Sequence, residues 1–173
     1  GEAHTQPGLL FFSAAADLVR PPEPGPAAGL EERLKALAPH GGTRVIPAIE
    51  AALAALDGGG ADEDRYIFII TDGITREEIT ADDIRGMAAR LDRAKVRLLT
   101  LSLSGEAESA IRSITLAAKD GVFHALVPGE DIRARFVREA EKELAGLVVE
   151  TPCPVASGPG AVLTGVAVFL AIE

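Results

Sequence analysis

Tyr66-Ile67-Phe68-Ile69-Ile70-Thr71-Asp72-Gly73 decides the fold. From Tyr66 to Ile70 every residue is apolar, β-branched or aromatic, so the segment has no polar face. A strand of that kind is buried on both sides, as in a parallel sheet covered by helices. Asp72-Gly73 ends it with a turn pair. Downstream, Thr80-Ala81-Asp82-Asp83 reads as a helix start with acidic residues in the first turn. Ile84, Met87, Ala88 and Leu91 form the buried side of that helix. The alternation then repeats: a strand over Val96 to Leu103, a helix over Ala107 to Ala118, a strand over Val122 to Val127, and a helix carrying Ile132, Phe136, Ala140 and Leu144. Short connections between alternating strands and helices predict an α/β fold with a doubly wound, mainly parallel, Rossmann-like sheet.

Upstream, Leu9-Leu10-Phe11-Phe12-Ser13 is a second buried strand, which Ala14 to Val19 extends past a bend. Pro21, Pro22, Pro24 and Pro26 then forbid regular structure. Leu30, Leu34 and Leu37 mark a short amphipathic helix that Pro39 ends. Val45, Ile49, Leu53 and Leu56 form the stripe of another, with Thr43 placed to cap it, Pro47 in its first turn and Gly58-Gly59-Gly60 stopping it. Beyond Leu144, Leu147-Val148-Val149 is a further candidate strand and Pro152 to Gly160 a Pro/Gly-rich connector. Val162 to Ile172 is strongly apolar.

The 173 residues suit one domain with a core large enough to need no staples; with no Trp and one Tyr, that core is aliphatic. A net charge of −9 without a basic run argues against nucleic acid and against anionic lipid as partners. Cys153 is the single cysteine, so no internal disulfide and no cysteine zinc site can form, and nothing nearby lowers its thiol pKa. The longest apolar stretch is too short to span a bilayer as a helix, and no secretory signal pattern opens the chain. Gly1-Glu2-Ala3 has no initiator Met, which leads us to expect a piece of something longer; the compartment is open.

In doubly wound sheets ligands bind at the carboxyl ends of the strands. Two polar elements converge there: Thr71-Asp72-Gly73 after one strand, and Gly41-Gly42-Thr43 before a helix. A carboxylate and a hydroxyl are hard oxygen ligands, suited to Mg²⁺, Mn²⁺ or Ca²⁺. Gly41-Gly42-Thr43 and Ile69-Ile70-Thr71-Asp72-Gly73 resemble the second and third segments of the metal-ion-dependent adhesion site of von Willebrand A-type domains. Gly8 to Val19, with its apolar run ending in Phe-Ser, looks like the strand before them. The likeness covers roughly residues 8–145, and among relatives it is nearest to bacterial membrane-associated A domains, some of which sit beside a glutamine-amidotransferase-like domain.

That resemblance implies a protein-binding module rather than an enzyme. Thr43 and Asp72 would hold the metal directly or through water, and a partner's acidic side chain would complete the shell. Ser13, Gly41, Gly42, Arg44, Gly73 and Thr75 would border the ligand. The sequence departs from the family in lacking the first segment, Asp-x-Ser-x-Ser, which ends the central strand; Ser102-Leu103-Ser104 has Thr100 where the acid should stand. Mg²⁺ affinity is therefore expected to be weak. Residues 1–150 would be the A-type domain without its usual first strand, and residues 151–173 a connector and an apolar strand. An empty central position would leave two unpaired edges. The candidates to fill it are an upstream segment outside this chain, a partner molecule, or the tail; of these, Val166 to Ile172 in the tail, apolar on both faces, is the expected one. Running parallel to its neighbours, it would bring Glu173 beside Thr43 and Asp72 as a third metal ligand.

Two other function classes compete. One is a metal-free regulatory or scaffolding domain of a larger membrane-associated assembly. The other is a hydrolase-like α/β enzyme, which the absence of a Gly-x-Ser-x-Gly context at Ser13, Ser102 or Ser157 disfavours. His4, His40 and His124 have no metal-ligand spacing, and Gly58-Gly59-Gly60 follows a helix instead of opening one, so it is no phosphate cradle. Glu77, Glu78, Asp82 and Asp83 read as a solvated helix start that also shapes an acidic rim.

Overall fold

The computed structural model describes residues 5–21, 42–57, 64–71, 78–103, 110–127, 129–143 and 165–172. Six strands form one sheet: β1 (Thr5–Phe12), β2 (Ala16–Arg20), β3 (Asp64–Thr71), β4 (Val96–Ser102), β5 (Val122–Ala125) and β6 (Gly165–Ile172). Four helices are described: α1 (Val45–Leu56), α2 (Ala81–Arg93), α3 (Ala110–Ala117) and α4 (Ile132–Glu143). The strand order is β2-β1-β6-β3-β4-β5. The α/β class expected from the alternation is the one found. The helix expected around Leu30 to Leu37 and the strand around Leu147 to Val149 lie outside the described residues.

The sheet is covered on both faces, and the period-2 alternation of the strands sorts the core. Leu10, Phe12, Ile67, Ile69 and Leu98 point to one face, where they meet Val45, Ala48 and Ile49 of α1, Met87 and Leu91 of α2, and Ile111 and Ile114 of α3. Leu9, Phe11, Tyr66, Phe68, Ile70, Leu99 and Leu101 point to the other, where Phe136 and Ala140 of α4 pack. Phe68 and Phe136 meet edge-on at 5.5 Å. A fully buried side chain of this size contributes about 1.5–3 kcal/mol by leaving water, and Leu10, Phe12, Ile49, Ile67 and Leu98 are all in that state.

β3, β4 and β5 are parallel, as the βα alternation predicts, with Ile67 opposite Leu98 and Leu101 opposite His124. The central position is occupied by β6, between β1 and β3, as expected. Its direction differs from the parallel course anticipated. β6 is antiparallel to both neighbours, with Val168 opposite Leu9 and Phe68, and Ile172 opposite Thr5 and Asp64. Four strands thus share one direction, and β6 runs against them through the middle. A second difference lies at the edge. Ala14 to Val19 does not prolong the first strand: Ser13, Ala14 and Ala15 turn the chain, and β2 returns antiparallel to β1.

Local signals explain the helix and strand starts. The Thr80 hydroxyl and N–H both donate to the Asp83 carboxylate, at 2.6 and 2.9 Å, and the Asp83 N–H donates back to the Thr80 hydroxyl at 3.2 Å. This capping box starts α2, and the hydroxyl hydrogen bond holds the Asp83 carboxyl below its ordinary range. Thr100, polar in an apolar strand, donates to Thr115 of α3 at 2.8 Å, because the Thr115 hydroxyl proton is committed to the Ile111 carbonyl at 2.7 Å. Gly121 opens β5 where the chain passes so close to α3 that a Cβ would lie 1.8 Å from the Thr115 carbonyl oxygen.

Two substitutions test these local devices by urea unfolding. Gly121→Ala should destabilise by at least about 2 kcal/mol, since the obstacle is backbone and cannot swing aside. Thr80→Ala should cost about 1 kcal/mol, the loss of one helix cap.

Candidate functional site

The carboxyl ends of β1, β3, β4 and β5 form one edge of the sheet, and backbone hydrogen bonds continue past the strands to shape it. The Ser13 N–H donates to the Ala15 carbonyl at 2.8 Å as the chain turns away from β1. The Ser13 carbonyl accepts from the Arg44 N–H at 2.8 Å, which fastens the start of α1 to the end of β1. Farther along, the Thr71 carbonyl accepts from the Leu103 N–H, and the Ser102 carbonyl from the Leu126 N–H, each at 2.8 Å. Ser13, Thr43, Thr71 and Ser102 are all buried along this edge.

Of the residues expected at the site, the structure describes Ser13, Gly42, Thr43 and Arg44, and it brings them together. Gly42 has φ +100°, a conformation that favours glycine. Thr43 is 3% exposed. It does not cap α1: the N-cap is Arg44, extended at φ −110° and ψ 99°, with no side-chain capping bond. The reason is tertiary. The Arg44 backbone is held by Ser13, so the helix begins one residue later than Thr43 would set it. The positive end of α1 therefore faces the carboxyl edge without a capping side chain of its own. Pro47 lies in the first turn, where its missing N–H costs nothing.

Gly41, Asp72, Gly73, Thr75 and Glu173 lie outside the described residues. The course of β6 nevertheless bears on the last of them. Gly165 is opposite Thr71 at the carboxyl edge, and Ile172 is opposite Asp64 at the far end of β3. That is about 23 Å away at the rise of a strand. The parallel arrangement that would bring Glu173 toward Thr43 is not the one present. At the carboxyl edge the central strand contributes Gly165 and Val166, neither of which offers a side-chain oxygen. Among the described residues no group of three or more His, Cys, Asp or Glu is placed to hold a metal.

Sequence reasoning passed over two features. One is that Thr71 and Ser102, each noted singly, are buried side by side at the ends of adjacent strands; the signal is a polar residue at the end of each apolar run. The other is an ionic network between β5 and α4. Glu139, 7% exposed, lies 3.0 Å from both Arg135 Nε and His124 Nε2, with Arg138 and Lys142 at 3.7 and 3.9 Å. Arg135 has no acceptor, so its contact with His124 Nδ1 at 3.2 Å makes Nδ1 the acceptor and leaves the ring proton on Nε2, toward Glu139. That approach is close but poorly aligned, and the charge pairing with Arg135 is the stronger part of the contact. Glu130 accepts from Arg135 at 3.0 Å, from Arg138 at 3.1 Å and from the Val127 N–H at 3.3 Å. The i, i+4 spacing of Arg135 and Glu139 was the visible half of this network. Glu130 is satisfied by hydrogen bonds, whereas Glu139 Oε2, Arg135 Nε and His124 Nε2 meet by charge and proximity without an aligned hydrogen bond.

No described helix is long and apolar enough to cross a membrane. No protein-family model matches the chain, and no curated protein matches it.

The Val127 N–H, with help from Arg135 and Arg138, holds the Glu130 carboxyl below its usual range. A lowered folded-state pKa gives stability that is present above the unfolded value, about 4.3, and is lost as pH falls through the folded one. Urea midpoints measured across the acid range should fall on acidification, and Glu130→Gln should flatten that limb while lowering the neutral plateau.

Proposed function

We propose that this chain is a protein-binding module of the von Willebrand A type, recognising its partner at the carboxyl edge of the sheet through an acidic side chain. The observation that carries the reading is the Ser13–Arg44 backbone hydrogen bond. It sets the buried Thr43 and the uncapped start of α1 at the edge on which β3 ends in Thr71, one residue before Asp72. A hydroxyl, a carboxylate one residue beyond Thr71 in the sequence, and the positive end of a helix are the chemistry that suits a hard cation and an incoming carboxylate. In this reading Thr43 and Asp72 hold Mg²⁺ weakly, with Mn²⁺ or Ca²⁺ as alternatives, and Ser13, Gly41, Gly42, Arg44, Gly73 and Thr75 border the partner. The reading is of a binding module and not of an enzyme.

A second reading, a metal-free scaffolding or regulatory domain of a larger membrane-associated assembly, is favoured by one observation. The central strand reaches the carboxyl edge with Gly165 and Val166, where an Asp-x-Ser-x-Ser segment would supply ligands. With two protein ligands, Mg²⁺ would keep most of its waters and bind poorly.

Calorimetric titration with Mg²⁺ should give a dissociation constant weaker than about 10⁻⁴ M. Amide NMR shifts should be confined to Ser13, Thr43, Arg44 and the residues after Thr71, and Asp72→Ala should remove them. Micromolar affinity, or shifts at the opposite edge of the sheet, would overturn this assignment. An acidic peptide that shifts the same amides equally in chelator would favour the metal-free reading.

A further inference from the structure

β6 enters the sheet differently from β3, β4 and β5. β3, β4 and β5 are joined through α2 and α3, which pack on the sheet between them. β6 runs against both neighbours, and its only covalent tie to the fold in the N-terminal direction is residues 144–164, beyond α4. Fully extended, roughly twenty residues reach on the order of 70 Å. The slot that β6 occupies is about 26 Å long at the rise of an eight-residue strand. That tether is long enough to reach the slot of a neighbouring molecule as well as its own.

The pairing of β6 is also self-contained. Its ladder runs to β1 along Thr5 to Phe11 and to β3 along Asp64 to Thr71. No charged residue occurs in Gly165–Ile172, so the strand needs a covered position in either case. Exchange between two copies would preserve both ladders, and a reciprocal exchange closes with two-fold symmetry. We propose that the slot between β1 and β3 is a strand-acceptor site, and that its partner, besides this chain's own β6, is Gly165–Ile172 of a second copy. The occupant of the slot is set by concentration during folding, because a strand arriving in cis and one arriving in trans make the same two ladders.

Two full-length chains test this, both carrying Cys153→Ser. One also carries Ile70→Cys and the other Val166→Cys, positions that face each other across β3 and β6. A disulfide between positions 70 and 166 can form readily only when β6 of one chain lies in the slot of the other. After joint refolding at high concentration and oxidation, that mixed disulfide should exceed either like-with-like disulfide by at least about tenfold, and its yield should fall as the refolding mixture is diluted. It should be absent when the chains are folded separately and then mixed. Phe11→Cys in place of Ile70→Cys reads the β1 side of the slot by the same criterion, should the first variant fold poorly. Mixed disulfide no more abundant than the like-with-like products at every concentration, in both pairings, would overturn the proposal.

Discussion

The inner edges of β1 and β3 each present a row of backbone N–H and C=O groups in the middle of the protein, where water cannot serve them. A buried backbone group left without a partner costs about 1–3 kcal/mol, and the registers of β6 with β1 and β3 extend the full length of the strand. Against a net stability of about 5–15 kcal/mol for a domain, an empty slot is not a tolerable state. The sheet is therefore defined by what fills this position. α1 lies over β6 and β1 together. β1 holds the turn from which α1 is hung, and β3 carries the parallel half of the sheet.

The direction of the filling strand then governs the chemistry of the edge above it. A strand parallel to β1 and β3 delivers its last residues to the carboxyl edge, where a following loop can be rich in oxygen. β6 delivers its first residues, Gly165 and Val166. The polar character of the edge must then come from the flanking elements, from Ser13 and Thr43 on one side and from Thr71 and Ser102 on the other. An ionic network ties α4 to β5 elsewhere, where Glu130 and Glu139 face Arg135 and Arg138, with His124 beside Glu139.

Much of this was legible in the residues and some was not, for identifiable reasons. The run Tyr66 to Ile70 has no polar face, so its burial between two layers followed directly. The same property in Val166 to Ile172, together with the gap in the family pattern, placed a strand in the centre. Its direction was not legible, because side-chain alternation reads the same from either end and the connector is long enough for both. β2 was read as a continuation because Ala14 to Val19 lacks a turn dipeptide; the reversal rests on backbone bonds at Ser13 that no residue type announces. Thr43 looked like a cap from its type and position, and the carbonyl of Ser13 displaced it. The helix start at Thr80 needed only neighbouring residues and was visible, though its reciprocal box with Asp83 was not read, whereas the partners His124 and Glu139 become neighbours only once β5 and α4 are side by side. Asp72, the residue on which the metal reading depends most, lies outside the described residues, as do Gly41, Gly73, Thr75 and Glu173.

The pairing of Thr5 with Ile172 and of Leu9 with Val168 joins segments about 160 residues apart in sequence. Contacts of such high sequence separation are the slowest to form, since the long intervening segment must lose its freedom before they reward it. On the ribosome this has a directional meaning. β1 emerges before β6, and its inner edge waits through the synthesis of some 150 further residues, about eight to thirty seconds at ordinary elongation rates, before its neighbour exists. First the edge of β1 and later that of β3 as well is available, unpaired, to any passing chain. The placement of one strand thus makes the nascent protein a natural client for holding factors that cover exposed strand edges until translation reaches Ile172.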